Sequence, residues 1–112
     1  MSAANYDLVI DQGSTFAIDL AIKESGSAKD LTGYSARAQM RPTKTSSTVA
    51  GTFTCTIVNA SGGTLKVELP ATTSSAMEAG MYFYDLEVHT GSDVIVKRLL
   101  EGKVTLNQEV TR

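Results

Sequence analysis

The single histidine, His89, ends a row of ionisable residues, Asp85, Glu87 and His89, at i, i+2 and i+4 of an alternating run. On a strand such side chains share one face with a repeat of about 7 Å, too wide to close on one small metal ion without donors from a neighbouring strand. One histidine and one cysteine are also too few donors for zinc, so a solvated sheet face is the reading carried forward. Serines and threonines abound, but only His89 could serve them as a base, and no Gly-x-Ser-x-Gly elbow is present. Asp85, Glu87, Glu68 and Glu101 supply carboxylates without any two being singled out as a pair for glycoside cleavage. Gly62-Gly63 lacks the lysine and the following helix of a phosphate loop and reads as a hairpin turn. Cys55 sits mid-strand as a small apolar residue and excludes an internal disulfide. The expectation is a non-enzymatic protein with no cofactor and no metal.

What remains is recognition of other molecules. Of seven aromatic residues, Tyr6, Phe16, Tyr34, Phe53, Tyr82 and Tyr84 fall on inward faces of the alternating runs and only Phe83 points outward. Phe83 and Met81 share that outer face, and with Ile95 or Leu99 of the next strand they would form an apolar patch suited to subunit contact. Arg37, Gln39 and Arg41 line another outer face, and Lys97 and Arg98 lie across a hairpin from Asp85 and Glu87. Cross-strand charge pairs are the first reading of these groups, with Arg37 and Arg41 also candidates for contact between subunits. Thr48 and Val49 sit in an exposed polar loop that offers a further contact surface.

The elements that would hold these residues follow from a period of two. Strands are predicted over Tyr6 to Ile10, Thr15 to Lys23, Tyr34 to Arg41, Thr52 to Val58, Thr64 to Leu69, Gly80 to His89 and Val94 to Leu100, the last resuming through Lys103 to Leu106. Asp11-Gln12-Gly13-Ser14, Asn59 to Gly63 and Thr90 to Asp93 carry turn chemistry. Glu24 to Lys29 reads as a hydrophilic loop, and Pro42 ends its strand before the loop over residues 43–50. Pro70 closes another strand, and Ala71 to Ala79 has room for one or two helical turns capped by Thr72 or Thr73. Gly102 in mid-strand predicts a bulge or kink there. Glu78-Ala79-Gly80-Met81-Tyr82 has the acid-x-Gly-x-Tyr order that leads into a tyrosine corner, with Tyr84 where a cysteine would follow in antibody domains. The sum is one all-β domain over residues 1–112, an immunoglobulin-like sandwich of seven to eight strands with one short helix before the Gly80 to Leu86 strand.

Composition narrows the partners. The chain has 112 residues, enough to bury about two thirds of its unfolded surface without a staple. Net charge is −2 with Lys and Arg scattered, so no basic stripe exists to hold nucleic acid. Charged residues make up 20%, and the Ser- and Thr-rich remainder suits packing against protein. No basic leader and no run of eighteen apolar residues occurs, so neither export nor a membrane is expected.

Four segments together resemble a group of tailed-phage virion proteins: Asp11 to Phe16, Asp30 to Arg41, Gly80 to Leu86, and Leu100 to Val104 with Glu109 to Arg112. The pattern is similar to the N-terminal immunoglobulin-like domain of phage upper baseplate proteins and of related small tail and neck proteins, and it spans nearly the whole chain. The resemblance implies an assembly module that docks on other virion proteins, in many copies or as a homo-oligomer, within a virion assembled in the host cytoplasm. It carries no catalytic residues. A tail, baseplate or neck adaptor or accessory subunit is expected, and the chain's end after Glu109-Val110-Thr111-Arg112 favours a standalone adaptor or a neck or tail accessory subunit. A capsid decoration protein is the alternative, and a carbohydrate- or host-surface-binding module is a further one.

Overall fold

The structure is a computed structural model that describes residues 4–24 and 26–110. The strands are β1 (Ala4–Asn5), β2 (Leu8–Asp11), β3 (Phe16–Ala21), β4 (Lys23–Glu24), β5 (Ser27–Ala28), β6 (Ser35–Arg41), β7 (Gly51–Asn59), β8 (Thr64–Leu69), β9 (Gly80–His89) and β10 (Val96–Asn107). One helix, α1 (Ala71–Ser75), precedes β9. Among the described residues seven strands have four or more residues. The fold is an all-β, immunoglobulin-like sandwich.

Its topology follows from the pairings. β2 runs parallel to β10, β10 pairs antiparallel with β9, and β9 with β6, which makes one sheet. β3 pairs antiparallel with β8, and β8 with β7, which makes the other. β7 belongs to both: Gly51, Thr52 and Phe53 pair with β6, and Thr54 onward pairs with β8. Among the described residues this leaves two open edges of the sandwich, one at β1 and β2 and one at β3.

The core is built by alternation. Tyr82, Tyr84, Leu86 and Val88 of β9, Leu65, Val67 and Leu69 of β8, and Ala38 and Met40 of β6 are all buried. Their rings and branched chains meet in the middle, where Phe53 of β7 lies 6.3 Å from Phe16 of β3 and 6.1 Å from Tyr84 of β9. Both contacts are in the range where tilted aromatic pairs attract. Two tyrosines then use their hydroxyls on backbone. Tyr82 Oη donates to Glu78 O at 2.5 Å, the expected tyrosine corner, and Tyr84 Oη donates to Tyr6 O and so holds β1 against the sheet. The Asp11 to Ser14 turn docks α1: Gln12 Nε2 donates to Met77 O at 2.7 Å, and buried Ser74 Oγ accepts from Gly13 N–H at 3.0 Å.

Several expectations need correction. Tyr6 is not inward but 47% exposed, because the chain steps from β1 to β2 at Tyr6-Asp7 and only Leu8 and Ile10 turn to the core. The loop over Glu24 to Lys29 contains a two-residue ladder, β4 with β5. Ser25, part of that expectation, and Thr111-Arg112 of the polar terminus lie outside the described residues. Thr72 and Thr73 do not cap α1; they lie inside it, and the Pro70 carbonyl receives Thr73 N–H and Ser74 N–H instead. The last strand restarts at Val96 rather than Val94, because Thr90 N–H bonds Ile95 O at 2.9 Å and lengthens the turn. Its bulge falls between Arg98 and Leu100 rather than at Gly102. Gly102 serves a different need, since a Cβ there would lie 2.4 Å from Tyr6 O, and glycine lets β1 approach.

Burial raises the Tyr84 hydroxyl pKa to about 12 from 10. The folded state therefore holds a proton that the unfolded chain releases between those values, and stability falls as pH rises through that window. Replacing Tyr84 with Phe is expected to cost about 1 kcal/mol at neutral pH through the lost hydrogen bond to Tyr6, and to flatten the alkaline loss. Urea midpoints measured from pH 7 to 11 check both; an alkaline limb as steep in the variant as in the parent would rule out Tyr84 as its source.

Candidate functional site

The outer face of the β6, β9 and β10 sheet gathers most of the sequence-predicted site residues. Register sets Arg37 beside Glu87, Gln39 beside Asp85 and Arg41 beside Phe83 from β6 to β9. From β9 to β10 it sets Glu87 beside Arg98, Asp85 beside Glu101 and Phe83 beside Lys103. One row, Arg37-Glu87-Arg98, alternates in sign across three strands, the arrangement that stabilises a sheet surface by a few tenths of a kcal/mol per pair, whereas Asp85 faces Glu101 acid to acid and needs a cation from a neighbouring row.

The side chains close these rows. Arg37 Nε pairs with Glu87 Oε1. Arg98 Nε lies 3.3 Å from Asp85 Oδ2, and its Nη1 lies 3.8 Å from Glu101 Oε1. Lys44 Nζ, from the loop over residues 43–50, reaches Glu101 Oε2 at 3.8 Å and lies 6.0 Å from the centre of the Phe83 ring. Arg41 donates to Ser46 O at 3.1 Å and to Gln39 Oε1 at 3.2 Å, so its guanidinium ties the loop to the sheet. Between them Gln39, Arg41, Lys44, Phe83, Asp85 and Glu101 line an open depression of about 180 Å³. Burial pushes the Asp85 carboxyl pKa upward, with Arg98 opposing it.

Phe83 and Met81 do point outward, but the expected apolar patch does not form. Met81 is 54% exposed and stands across from Thr105, whose hydroxyl donates to its sulfur at 3.3 Å. Phe83 has Arg41 and Lys103 on its flanks and Lys44 above it, so a loop residue shares its cover. Leu99 turns into the core at the bulge, and Ile95 lies at the far tip of the hairpin. Thr48 and Val49 are exposed in the loop as expected, where Thr48 N–H bonds Ser46 Oγ at 3.1 Å. The expected Lys97 pairing is replaced: Lys97 stands opposite Val88, while Arg98 takes Asp85.

No family model and no curated protein matches the chain. Among solved structures it is similar to a family 123 glycoside hydrolase from Clostridium perfringens, with 10% identity and a TM-score of 0.45. That match covers 100% of this chain and 24% of the hydrolase, so the chain spans about a quarter of that protein's length.

Within the described residues no group of three or more His, Cys, Asp or Glu side chains is placed to hold a metal ion. His89 stands beside Ser35 and Val96, with Nδ1 3.4 Å from Thr90 O, and does not converge on the acids that precede it in sequence. The feature that alternation did not flag is the β9–β10 tip. Val94, Ile95 and Val96 are 79%, 44% and 43% exposed, three consecutive apolar residues in water. Their signal in the sequence is the break in period: three apolar residues in a row immediately after a turn, with no polar partner between them.

The Arg37 and Glu87 side chains are 43% and 23% exposed, which limits what their pairing contributes. A double-mutant cycle with Arg37→Ala and Glu87→Ala is expected to give a coupling of about 0.5 kcal/mol that shrinks in 1 M salt. A coupling above about 2 kcal/mol, or one indifferent to salt, would mean that the row is held by something other than solvent-screened attraction.

Proposed function

We propose that the chain is a non-enzymatic structural protein of a tailed-phage virion, a tail, baseplate or neck adaptor that docks on other virion proteins in many copies. The observation that carries the docking reading is the Val94-Ile95-Val96 tip, held out by a turn whose ends are fixed by Thr90 N–H to Ile95 O and Ile95 N–H to Thr90 Oγ1 at 3.0 Å. An exposed apolar protrusion costs solubility and contributes nothing to this chain's own core, so its use lies in a contact with another protein. The phage assignment is supported by the motif resemblance, and its segments are the joints of the fold: the Gln12 clamp, the tyrosine corner at Tyr82, and the last strand.

The charge-paired face of β6, β9 and β10, with its shallow open depression, supports the same reading. Its ions are engaged with one another, which suits repeated, individually weak contacts more than capture of one small ligand. Virion attachment through the tip would bury Val94 and Ile95 in an apolar recess of a neighbour, with specificity supplied by the polar rim.

Particles produced by the genome that encodes the chain should contain it at a fixed stoichiometry by quantitative mass spectrometry. Substituting Val94→Asp and Ile95→Asp together should leave the isolated protein's unfolding free energy within about 0.5 kcal/mol while lowering its incorporation at least about tenfold. Absence of the chain from purified particles would sink the virion reading, and unchanged incorporation of the double variant would remove the tip from it.

A further inference from the structure

We propose that the open edge of β3 is a docking site for an extended, basic segment of another protein, which adds a strand to the sandwich beside Phe16–Ala21. β3 has β8 as its only strand neighbour among the described residues. Ile22 N–H donates to Gly63 O at 2.7 Å, and the alternation of an antiparallel ladder then turns the backbone groups of Phe16, Ile18 and Leu20 toward β8. Those of Ala17, Asp19 and Ala21 face away from β8, along the open edge. An extended chain is the ligand whose own N–H and C=O groups match that spacing.

Side chains support the same position. The inward row of β3, Phe16, Ile18 and Leu20, is only half-buried, whereas Leu8 and Ile10 of β2, the other open edge, are 4% and 1% exposed. The apolar seam is therefore unfinished at β3 and finished at β2. The outward row offers no obstacle, since Ala17 and Ala21 are small and neither proline nor lysine guards the strand. A partner strand with apolar residues on alternate positions would complete the cover over Phe16, Ile18 and Leu20.

Charge decides whose strand it is. Between Ala4 and Ile22 there is no lysine or arginine, and the only charges are Asp7, Asp11 and Asp19. A second copy would offer β3 either its own Asp19 or Asp11 of β2, acid against acid at both open edges. Lys66 already stands across from Asp19 on β8, so a basic residue on the far side completes a Lys-Asp-Lys row over three strands. This deepens the docking reading by naming the chemistry of one partner, and it rests on that reading only for the partner's place in a particle.

The test is amide hydrogen exchange on the intact protein with a short synthetic peptide alternating Lys and Val. Protection should rise at Ala17, Asp19 and Ala21 while Ile18 and Leu20, already bonded to β8, change little. A Glu-Val peptide and a Lys-Val peptide N-methylated on alternate residues should each bind at least about tenfold more weakly. Asp19→Lys should reverse the charge preference. No selective protection at the three edge amides, equal binding of the Glu-Val peptide, or concentration-dependent protection without peptide that tracks a dimer by light scattering would each overturn the proposal. Edge protection in a protein absent from particles would leave the docking edge standing and remove the virion reading, and the reverse pattern would do the opposite.

Discussion

Everything in this fold depends on one strand serving two sheets. β7 leaves β6 after Phe53 and continues against β8 from Thr54, so the two sheets are one ribbon folded over on itself. The handover places Phe53 at the crease, where its ring touches Phe16 from one sheet and Tyr84 from the other. Gly51 opens the strand because Met40 packs against it: a Cβ there would lie 2.9 Å from Met40 Cε. A side chain at that position would force the Met40 and Met77 thioethers to repack. The free cysteine belongs to the same strand. Cys55 follows Phe53 on the inward row, and burial raises its thiol pKa to about 11, so it remains a neutral packing group at neutral pH.

A ribbon folded in this way has two ends, and the treatment of each differs. At the β2 end the chain clamps itself: Asp7 Oδ1 accepts from Lys103 N–H at 2.9 Å, Tyr6 N–H bonds Glu101 O at 2.9 Å, and Gln12 N–H bonds Asn107 O at 2.9 Å. Parallel pairing with β10 alone is a weak hold for so short a strand, and these contacts at both ends of it compensate. At the β3 end the comparable fixtures lie beyond the strand's last residue, where Ile22 N–H bonds Gly63 O at 2.7 Å and Lys29 N–H bonds Ile22 O at 2.9 Å. Gly63 permits them, with φ of 71° and a Cβ position that would fall 2.5 Å from Lys29 O. The sandwich is thus tied down at one seam and merely turned away at the other.

How much of this was legible in the sequence depends on the range of the interaction. Alternation is a local property of the chain, and it placed Leu65, Val67 and Leu69, then Tyr82, Tyr84, Leu86 and Val88, on the core side correctly. The acid-x-Gly-x-Tyr order also foretold a local bond, from Tyr82 Oη to a carbonyl four residues earlier. Register between strands is not local. The position of Leu99 at a bulge and the extra length of the Thr90 to Ile95 turn decide what stands beside Phe83, and neither follows from period two. That is why Met81, Phe83, Ile95 and Leu99 looked like one patch and are not. Gly102 was read as a bend because a strand glycine has two common uses, and the second, close approach of another backbone, requires knowing that Tyr6 lies there. The Arg37 to Glu87 pairing shows the intermediate case: the residue types were visible, and the neighbour was set by β6 lying beside β9.

The acidity of the first strands makes physical sense as a restraint on self-association. An open strand edge pairs with any other edge unless something forbids it, and among the described residues the open edges of the sandwich are β3 at one end and β2 with β1 at the other. Putting Asp11 and Asp19 in those edge strands, with no base between Ala4 and Ile22, makes each edge repel the other in a second copy. The repulsion is screened at distances beyond about 8 Å in physiological salt, so it acts only when edges come close enough to pair. A basic strand meets no such barrier and gains from the same carboxylates. Specificity here is therefore a difference between two encounters with one edge, obtained by penalising the wrong partner as much as by favouring the right one.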